Sequence, residues 1–521
     1  MPVSTASTTP LGELLSERAK SRVNIHFTGL ACEGVVPHPE PVSLAGGMPN
    51  VGLFPIKQIK LVYSETPFDI ENSDEIVIER YEADIEGDQD RLLSLERGLQ
   101  YAKEIGHTPL LEFSRELIEE VNPPKYDNWD VIISCGSGDS LHKVCNLLIN
   151  PGDTVLVEEY TFVPVVALIR NYGGYAVPVK LNLDPQREKG EKRPSGCIDV
   201  PELANLLDSW ETGPYKGLRK PKFLYTIPTG QNPTGLVQSM SDRKKILEIA
   251  KTHNFVILED DPYGNIAYPD YSTNKDFYEK EENRNAAKYM EEMLYKSYLT
   301  LDTEGRVIRL ETFSKLFAPG LRLGFIVANN LFISQIAKHT NASTRAASGV
   351  SQTVLASMLY SKRWQGIEDS SASEKALSVK GAVNNWLTWG MKISRAYTEK
   401  RNLMLDMLYS HEIFTKKGYA TVLEPQFGMF MVIRLNLSKI TNDSTRYRDL
   451  MHIFNIKTLE KGVHVVLGLN MAFDPKIAES ERSCFLRLTN ASAADTKLLR
   501  VGIERVISCI TELFEENLNT Q

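Results

Sequence analysis

The chain has 521 residues, of which 42% are hydrophobic and 24% charged, a composition typical of a globular protein. Its 59 basic and 67 acidic residues give a net charge of −8, which argues against a general binder of nucleic-acid backbones. No apolar run approaches the roughly 18–20 residues that a membrane-spanning helix needs, so we expect no membrane protein. The six cysteines form no CxxC pair and the nine histidines have no metal-binding spacing. Since the first ten residues also lack a secretory signal, we expect reduced thiols, a cytoplasmic location and no metal site.

The predicted elements begin with a polar N-terminal arm, residues 1–40, that contains one short helix over 12–22. Beyond it, apolar runs alternate with helical patterns. Strands are predicted over 130–134, 154–157, 223–227, 255–258, 307–310 and 321–327, and helices over 139–149 and 241–253. Continuous apolar strands that alternate with helices predict an α/β domain, with a doubly wound, mostly parallel sheet covered on both faces.

The pattern changes near residue 394, where helices and strands of a smaller α+β domain are predicted. Its strands are expected over 424–435, 463–467 and 483–489, followed by a C-terminal helix over 493–517. We therefore divide the chain into an arm (1–40), a segment that joins the small domain (41–65), a large domain (66–393) and a small domain (394–521). The charged, asparagine-rich stretch 271–296 within the large domain is predicted to be a surface insertion with a helix at its end.

The most informative motif is ETFSKLFAPGLRLG, residues 311–324, at the end of a predicted strand. Lys315 can form a Schiff base with an aldehyde, and Thr312, Ser314 and Arg322 supply two hydroxyls and a guanidinium for a phosphate. This combination is typical of a site for a phosphorylated aldehyde cofactor. The alternative is a solvated lysine at a strand end with Arg322 as a surface cation.

Two further motifs, PTGQNPTG at 228–235 and EDDPYG at 259–264, each follow a predicted strand. A βαβ unit would bring Asn232 and Asp260 to the same carboxyl edge of the sheet, where ligands bind in open α/β folds. Taken separately, Asn232-Pro233 could be a plain turn, and Asp260 and Asp261 could be helix caps.

A glycine-rich turn, CGSGDS at 135–140, lies between a predicted strand and a helix. Small residues such as Ser137 and Gly138 allow backbone N–H groups at a helix start to approach a phosphate. The alternative is a tight turn in which Asp139 is the helix N-cap.

Together, these motifs resemble those of the fold type I, class I pyridoxal-phosphate aminotransferases, and they occur in the family's order. The resemblance extends from residue 44 to residue 488. Within the class, the chain is similar to the kynurenine/2-aminoadipate aminotransferase branch and to its fungal aromatic aminotransferases. The resemblance implies a PLP-transferase type I fold, with a large doubly wound domain and a smaller α+β domain.

The resemblance also implies a role for each matching residue. Lys315 would hold pyridoxal 5′-phosphate and transfer the proton, Asp260 would pair with the ring nitrogen, and Asn232 and Tyr263 would bind the phenolic oxygen. The residues expected around the phosphate are Ser137, Gly138, Thr312, Ser314 and Arg322. Phe162 would stack on the ring, and Tyr101 would reach the site of a neighbouring subunit, which implies a homodimer with shared sites. For Phe162 and Tyr101 the alternative is ordinary core packing.

For the substrate, Arg487 is the expected clamp for the α-carboxylate, because a planar guanidinium binds a carboxylate through two hydrogen bonds. Asn232 would assist, and Gly46 and Gly47 would let the backbone approach the substrate or simply form a loop turn. The arm carries Arg18 and Arg22, and the resemblance implies that it forms a mobile lid over the substrate. The alternative, which is the more common case for such residues, is that both are solvated helix charges.

The chain departs from the family at Gly138, where relatives commonly carry a polar side chain, and at Gly264, where a second tyrosine is common. Its 271–296 insertion is also longer than in mammalian relatives.

The predicted function is transfer of the amino group of phenylalanine, tyrosine or tryptophan to a 2-oxo acid such as 2-oxoglutarate or phenylpyruvate. The alternative within enzymes is a 2-aminoadipate/kynurenine aminotransferase. A remote alternative is a non-catalytic PLP-binding regulator. Only about 40 loosely patterned residues precede Leu44, without a helix-turn-helix pattern, which disfavours that alternative.

Overall fold

The computed structural model describes residues 10–23, 36, 38–40, 42, 47–69, 71, 73–80, 93–187, 191, 193–280, 283, 285–361, 364, 378–443 and 445–518. The helices are α1 (Pro10–Glu13), α2 (Glu17–Lys20), α3 (Leu95–Leu99), α4 (Thr108–Val121), α5 (Ser137–Leu148), α6 (Pro164–Asn171), α7 (Val200–Asp208), α8 (Met240–Thr252), α9 (Ala286–Glu292), α10 (Asn330–Ala342), α11 (Gly349–Leu359), α12 (Val379–Ser410), α13 (Glu412–Thr415), α14 (Thr445–Glu460), α15 (Pro475–Ala478) and α16 (Thr496–Leu518). The strands are β1 (Gln58–Tyr63), β2 (Asp74–Glu79), β3 (Trp129–Ser134), β4 (Thr154–Glu158), β5 (Tyr175–Val179), β6 (Leu181–Gln186), β7 (Ser195–Ile198), β8 (Pro221–Thr226), β9 (Val256–Asp261), β10 (Val307–Thr312), β11 (Gly324–Asn329), β12 (Ala420–Leu423), β13 (Phe430–Leu435), β14 (Val466–Leu467) and β15 (Phe485–Thr489).

A seven-stranded mixed sheet in the order β3-β11-β10-β9-β8-β4-β5 forms the centre of the larger lobe. The strands from β10 to β5 pair in parallel, whereas β11 runs antiparallel to both of its neighbours. Every residue of β4, β9, β10 and β11 is buried, as expected for a sheet covered by helices on both faces. The predicted α/β fold with a doubly wound, mostly parallel sheet is therefore confirmed.

This sheet brings the sequence motifs to one edge. The strands β4, β8, β9 and β10 run in parallel, so the segments that follow them lie side by side at their carboxyl ends. Those segments carry Phe162, Asn232, Tyr263 and Lys315. The antiparallel strand β11 pairs with β3, which leads into α5, and so adds the glycine-rich turn to the same edge.

One strand of the large sheet, β5, was not predicted. The β5 sequence contains Pro178, which cannot donate a ladder hydrogen bond and usually disqualifies a central strand. Because β5 is the edge strand of the sheet, the missing donor is tolerated there.

The smaller lobe is built on a four-stranded antiparallel sheet, β12-β13-β15-β14, with α14 and α16 in its core. The strand predicted over 424–435 is a strand only in its second half, β13, and the unpredicted strand β12 ends just before it. Pro425 and Gly428, whose φ is +85°, lie in the turn between them. Among the described helices, none is long and apolar enough to cross a bilayer.

The two lobes share the long helix α12. Its first half packs into the large core through residues such as Trp386, and its second half packs into the small core through residues such as Met404. The predicted boundary at residue 394 falls inside this helix, and the division into domains stays a prediction. In the joining segment, Leu61 and Tyr63 pack against the large core.

The charges of the 271–296 stretch predicted a surface insertion, but part of the stretch is buried. Phe277, Tyr278, Tyr289 and Tyr295 are buried, and the Tyr289 hydroxyl donates to the carbonyl of Asn265 at 2.8 Å. The stretch contains the predicted helix as α9. Burial was missed because the aromatic residues are separated by charged ones and show no clear helical period.

The N-terminal helix predicted over 12–22 is two short helices, α1 and α2. The described part of the arm packs on the C-terminal end of α5 and on α10. Arg18 donates to the carbonyl of Ile149, just after α5, and Arg22 donates to that of Gln335 on α10. The length of α5 is about 18 Å, and Ser137 is at its opposite end. In this structure, Arg18 and Arg22 therefore lie away from the turn predicted to bind phosphate.

Candidate active site

Asp260, on β9, has one carboxylate oxygen occupied and one free. Its Oδ2 accepts a hydrogen bond from the Tyr225 hydroxyl at 2.7 Å, whereas its buried Oδ1 has no partner within the described part of the chain. Burial raises the pKa of Asp260 to about 6, and the Tyr225 hydrogen bond opposes that rise. A buried carboxylate with one free oxygen is suited to bind a cationic N–H group.

Lys315 and Tyr263 lie close to this carboxylate. The positive charge of Lys315 lowers the pKa of Asp260, though by less than burial raises it. Burial and the charge of Asp260 raise the pKa of Tyr263, and Arg487 opposes this. The structure thus brings together the four residues predicted for catalysis and carboxylate binding. The side chain of Lys315 is exposed, so its amine is open to solvent and to an incoming substrate.

The N-terminus of α5 is open and has no side-chain cap. The N-cap residue is Gly136, with φ of +88°, and Ser137 is the first helical residue. Asp139 is therefore not the N-cap, and its carboxylate instead accepts from the backbone N–H of Cys135 at 2.9 Å. A Cβ added at Gly138 would meet nothing within 4 Å, so open space lies in front of the helix start. Free N–H groups beside open space fit an anion such as a phosphate.

Arg322 completes this cradle from the other side. Its Nη2 donates to the carbonyl of Cys135 at 3.2 Å and would lie 2.8 Å from a Cβ at Gly136. Thr312 and Ser314 follow at the end of β10, with their hydroxyl oxygens 3.0 Å apart. A guanidinium, two hydroxyls and a helix N-terminus are the groups that hold phosphates in proteins.

Arg487, on β15 of the smaller lobe, reaches across to the larger lobe. Its Nη1 donates to Oδ1 of Asn232 at 2.7 Å, and its guanidinium lies 4.1 Å from the centre of the Phe430 ring. The edge of Phe430 also contacts Tyr263, with ring centroids 5.9 Å apart. Burial lowers the pKa of Arg487. The guanidinium is therefore held in a defined position beside the predicted cofactor residues.

The remaining predicted residues lie at the rim or outside the described chain. Phe162 and Tyr101 are 40% and 65% exposed, and within the described residues neither ring packs against another aromatic ring or a cation. Core packing, the alternative for both, is thus wrong. Gly46 lies outside the described residues, whereas Gly47 is exposed with open space where a side chain would be.

Sequence reasoning missed three residues that support the site: Tyr225, Phe430 and Glu158. Glu158 is fully buried at the end of β4 and accepts hydrogen bonds from the Thr226 hydroxyl and the Gln231 amide, at 2.6 and 2.9 Å. Burial raises its pKa to about 7. A tyrosine or a glutamate inside an apolar strand needs a polar partner, and that need was the available signal.

Comparison with known proteins identifies the family. Residues 58–506 match the family model described as aminotransferase class I and II. The chain belongs to this aminotransferase family. It is 40% identical over 484 residues to aromatic amino acid aminotransferase 2 of Saccharomyces cerevisiae, an alignment that covers 91% of each chain. The predicted family and reaction class are therefore confirmed.

Two other similar aminotransferases are informative. The crystal structure of the aromatic aminotransferase Aro9 from C. albicans has a TM-score of 0.84 and 36% identity, and covers 97% of this chain and 98% of that one. The mitochondrial kynurenine/alpha-aminoadipate aminotransferase of Mus musculus is 32% identical over 329 residues, 61% of this chain and 65% of that protein. Both the aromatic and the kynurenine/aminoadipate aminotransferases are thus represented among similar proteins.

Proposed function

We propose that this aminotransferase uses pyridoxal 5′-phosphate to transfer the amino group of phenylalanine, tyrosine or tryptophan to a 2-oxo acid such as 2-oxoglutarate or phenylpyruvate. The observation that carries the proposal is the buried Oδ1 of Asp260, which has no partner among the residues that the structure describes and lies in the same site as Lys315 and Arg487. The aromatic preference is supported by the yeast and C. albicans proteins, whose names state it.

The residues present fit this cofactor. The open N-terminus of α5, with Arg322, Thr312 and Ser314, would hold its phosphate, and Asp260 would pair with its ring nitrogen. Tyr263 and Asn232 would bind its phenolic oxygen, and Phe162 would cover one ring face. When bound, the cofactor supplies an aldehyde that condenses with amines and a protonated ring that withdraws electrons from the substrate Cα.

The side chains of this protein would bind the substrate and move the proton. Arg487 binds the α-carboxylate through two charge-assisted hydrogen bonds, and Asn232, already bonded to Arg487, fixes the plane of the guanidinium. The amine of Lys315 would take the proton from the substrate Cα and return it to the cofactor's former aldehyde carbon, on the other side of the substrate nitrogen. The carboxylate of Asp260 would keep the ring nitrogen protonated, since a buried negative charge favours the cationic ring.

We further propose a cytoplasmic homodimer in which Tyr101 completes the site of the partner. The exposed ring of Tyr101 supports this proposal, because a large aromatic side chain that is 65% exposed in the single chain is available for burial by a second copy.

A second candidate function is 2-aminoadipate or kynurenine transamination, which the similarity to the mouse enzyme supports. It shares every step above and differs in the substrate side chain. A non-catalytic PLP-binding regulator is disfavoured, because Lys315, Asp260 and Arg487 are all present and a regulator would not need the full set.

The deciding experiment is a half-reaction. The protein loaded with pyridoxal 5′-phosphate is mixed with excess phenylalanine in the absence of an oxo acid. We expect the visible band of the bound cofactor to disappear and about one phenylpyruvate to form per subunit, because one cofactor accepts one amino group. Lys315→Ala is the control, and it should form no phenylpyruvate on the same time scale.

Conversion by 2-aminoadipate or kynurenine but not by phenylalanine would replace the aromatic proposal with the second candidate. Normal turnover by Lys315→Ala, or no cofactor band in the wild-type protein, would overturn the proposed mechanism.

A further inference from the structure

The cofactor-binding aspartate has a single hydrogen-bond donor within the described residues, and that donor is Tyr225 on the neighbouring strand. Tyr225 pairs with Leu258 in the parallel register of β8 and β9, and Asp260 is two residues beyond Leu258 on the same face. The hydroxyl therefore reaches Oδ2 of Asp260 diagonally, at 2.7 Å. Both residues are buried, so water does not compete for this contact.

The contact fixes which oxygen of Asp260 is free. Since Oδ2 is occupied, the buried Oδ1 is the oxygen left to receive a ring N–H. A carboxylate without this contact could rotate, and Oδ1 would then no longer point toward the ring N–H. The Tyr225 hydroxyl can donate to Asp260 only while Asp260 keeps a lone pair directed at it.

The other charged and titratable groups around Asp260 act on it without a hydrogen bond in the described chain. They are Asp261 on the same strand, Arg309 on β10, Lys315 beyond β10, Glu158 on β4 and Tyr263 after β9. Arg309 is already engaged by the carboxylates of Glu259, Asp261 and Glu311. Unlike these groups, Tyr225 both orients the carboxylate and stabilises its charged form.

We propose that Tyr225 is a positioning residue for the cofactor: its hydroxyl holds Asp260 ionised and turns the free oxygen toward the ring nitrogen. This inference rests on the proposed function, because it assigns Asp260 to a protonated ring. It extends that function by making the strength of the ring-nitrogen contact depend on Tyr225, a residue to which the proposed function gives no contact with cofactor or substrate.

The proposal predicts how cofactor binding changes when the hydroxyl is removed. In Tyr225→Phe, the pKa of Asp260 rises above its wild-type value of about 6, since a donor to the charged form is lost. The fraction of ionised Asp260 then falls at a higher pH than in the wild type. The dissociation constant of Tyr225→Phe for pyridoxal 5′-phosphate, divided by that of the wild type, should therefore increase as the pH falls from 8.5 to 6. We expect it to reach roughly tenfold, the low end for a hydrogen bond to a charged group.

The experiment measures that ratio with the full-length apoprotein, by titration with pyridoxal 5′-phosphate and protein fluorescence at several pH values. Tyr360→Phe is the matched control. Tyr360 is also fully buried and its hydroxyl donates to the carbonyl of Pro109 at 2.9 Å, but that contact is between α4 and the end of α11. Its ratio should stay near one at every pH. Turnover of loaded Tyr225→Phe should show a lower kcat with a KM for phenylalanine within about twofold, since the contacts of Arg487 are retained.

A second variant strengthens the hydrogen bond to Asp260 instead of removing it. Site-specific 3-fluorotyrosine at position 225 keeps the shape of the side chain and makes its hydroxyl a stronger donor, so the acid limb of cofactor binding should move to lower pH. A pH-independent ratio in Tyr225→Phe, or no shift with 3-fluorotyrosine, would overturn the proposal for Tyr225 alone. Failure of the wild-type protein to bind the cofactor would instead overturn the proposed function.

Discussion

The buried carboxylate of Glu158 offers a quantitative test of the site's architecture. Its Oε1 accepts from the Thr226 hydroxyl and the backbone N–H of Ile227, and its Oε2 accepts from the Gln231 amide. These contacts fix the end of β8 and the loop that carries Asn232. The perturbation is Glu158→Gln, which preserves the shape of the side chain and removes its ionisation.

The lost contact can be identified from the geometry. A glutamine can retain its carbonyl oxygen toward Thr226 and Ile227, but its amide nitrogen then faces the amide nitrogen of Gln231, donor against donor. Gln231 cannot rotate to compensate, because its own oxygen accepts from the backbone N–H and the hydroxyl of Thr234. A buried donor left without an acceptor costs about 1–3 kcal/mol. The protonated acid avoids this cost, since its hydroxyl oxygen keeps a lone pair for Gln231.

Ionisation of Glu158 destabilises the wild type, whereas the lost contact destabilises the variant. The pKa of Glu158 is raised from 4.5 to about 7 by burial. Because the folded pKa lies above the unfolded one, the associated stability is fully present below pH 4.5 and is lost as the pH rises through 7. Between pH 5 and pH 8 this loss amounts to about 2.5 kcal/mol. The glutamine variant does not undergo this loss.

We therefore expect Glu158→Gln to be clearly less stable than the wild-type apoprotein at pH 5 and about equally stable at pH 8. The measurement is the free energy of unfolding in urea, followed by tryptophan fluorescence at both pH values. Glu202→Gln is the control, because Glu202 is an exposed partner of Lys180 and should contribute less than about 1 kcal/mol at either pH. A stability difference that is the same at pH 5 and pH 8 would refute the raised pKa of Glu158.

Two further predictions concern the ligand groups. Arg487→Lys should reduce kcat/KM for phenylalanine roughly a hundredfold, since a single ammonium cannot replace two parallel N–H donors, and a loss below about threefold in steady-state kinetics would contradict its role. Gly136→Ala should weaken binding of pyridoxal 5′-phosphate in a fluorescence titration, because its Cβ would lie 2.8 Å from Nη2 of Arg322. Gly217→Ala is the matched control: its φ of +92° imposes similar backbone strain, but its Cβ meets nothing within 4 Å, and equal affinities of the two variants would rule out the clash with Arg322.

The sequence predicted the catalytic edge of the fold because the informative residues come directly after buried strands. Apolar runs identify β8, β9 and β10, and a parallel sheet then places whatever follows them at one edge. Asn232, Asp260 and Lys315 could therefore be brought together before any coordinates were known. The order of the three motifs along the chain and their resemblance to those of a known family then predicted the role of each residue.

Contacts made between strands could not be predicted in the same way. The partner of Tyr225 depends on the register of β8 against β9, which no local pattern specifies, and the tyrosine lies in a run that is indistinguishable from core. The burial of Tyr289 depends on the packing of α9 against α12. The position of Arg18 depends on where the arm docks, and α5 presents free carbonyl groups at an end that the sequence does not mark as a docking site.

The arrangement of the two lobes explains how a residue on the smaller one can serve a site on the larger one. The segment that ends in Arg487 begins with Arg482, which pairs with the carboxylate of Glu159, and continues with Ser483, whose hydroxyl is 3.0 Å from that of Tyr160. Glu159 and Tyr160 in turn precede Phe162, the predicted ring-stacking residue. The proposed clamp for the substrate carboxylate, Arg487, and the proposed ring-stacking residue, Phe162, thus follow two segments that contact each other. Because these polar contacts join the two segments, a motion of the smaller lobe at this point would move both residues together. If Arg487 and Phe162 bind as proposed, this contact would hold the substrate carboxylate and the cofactor ring at a fixed distance from each other.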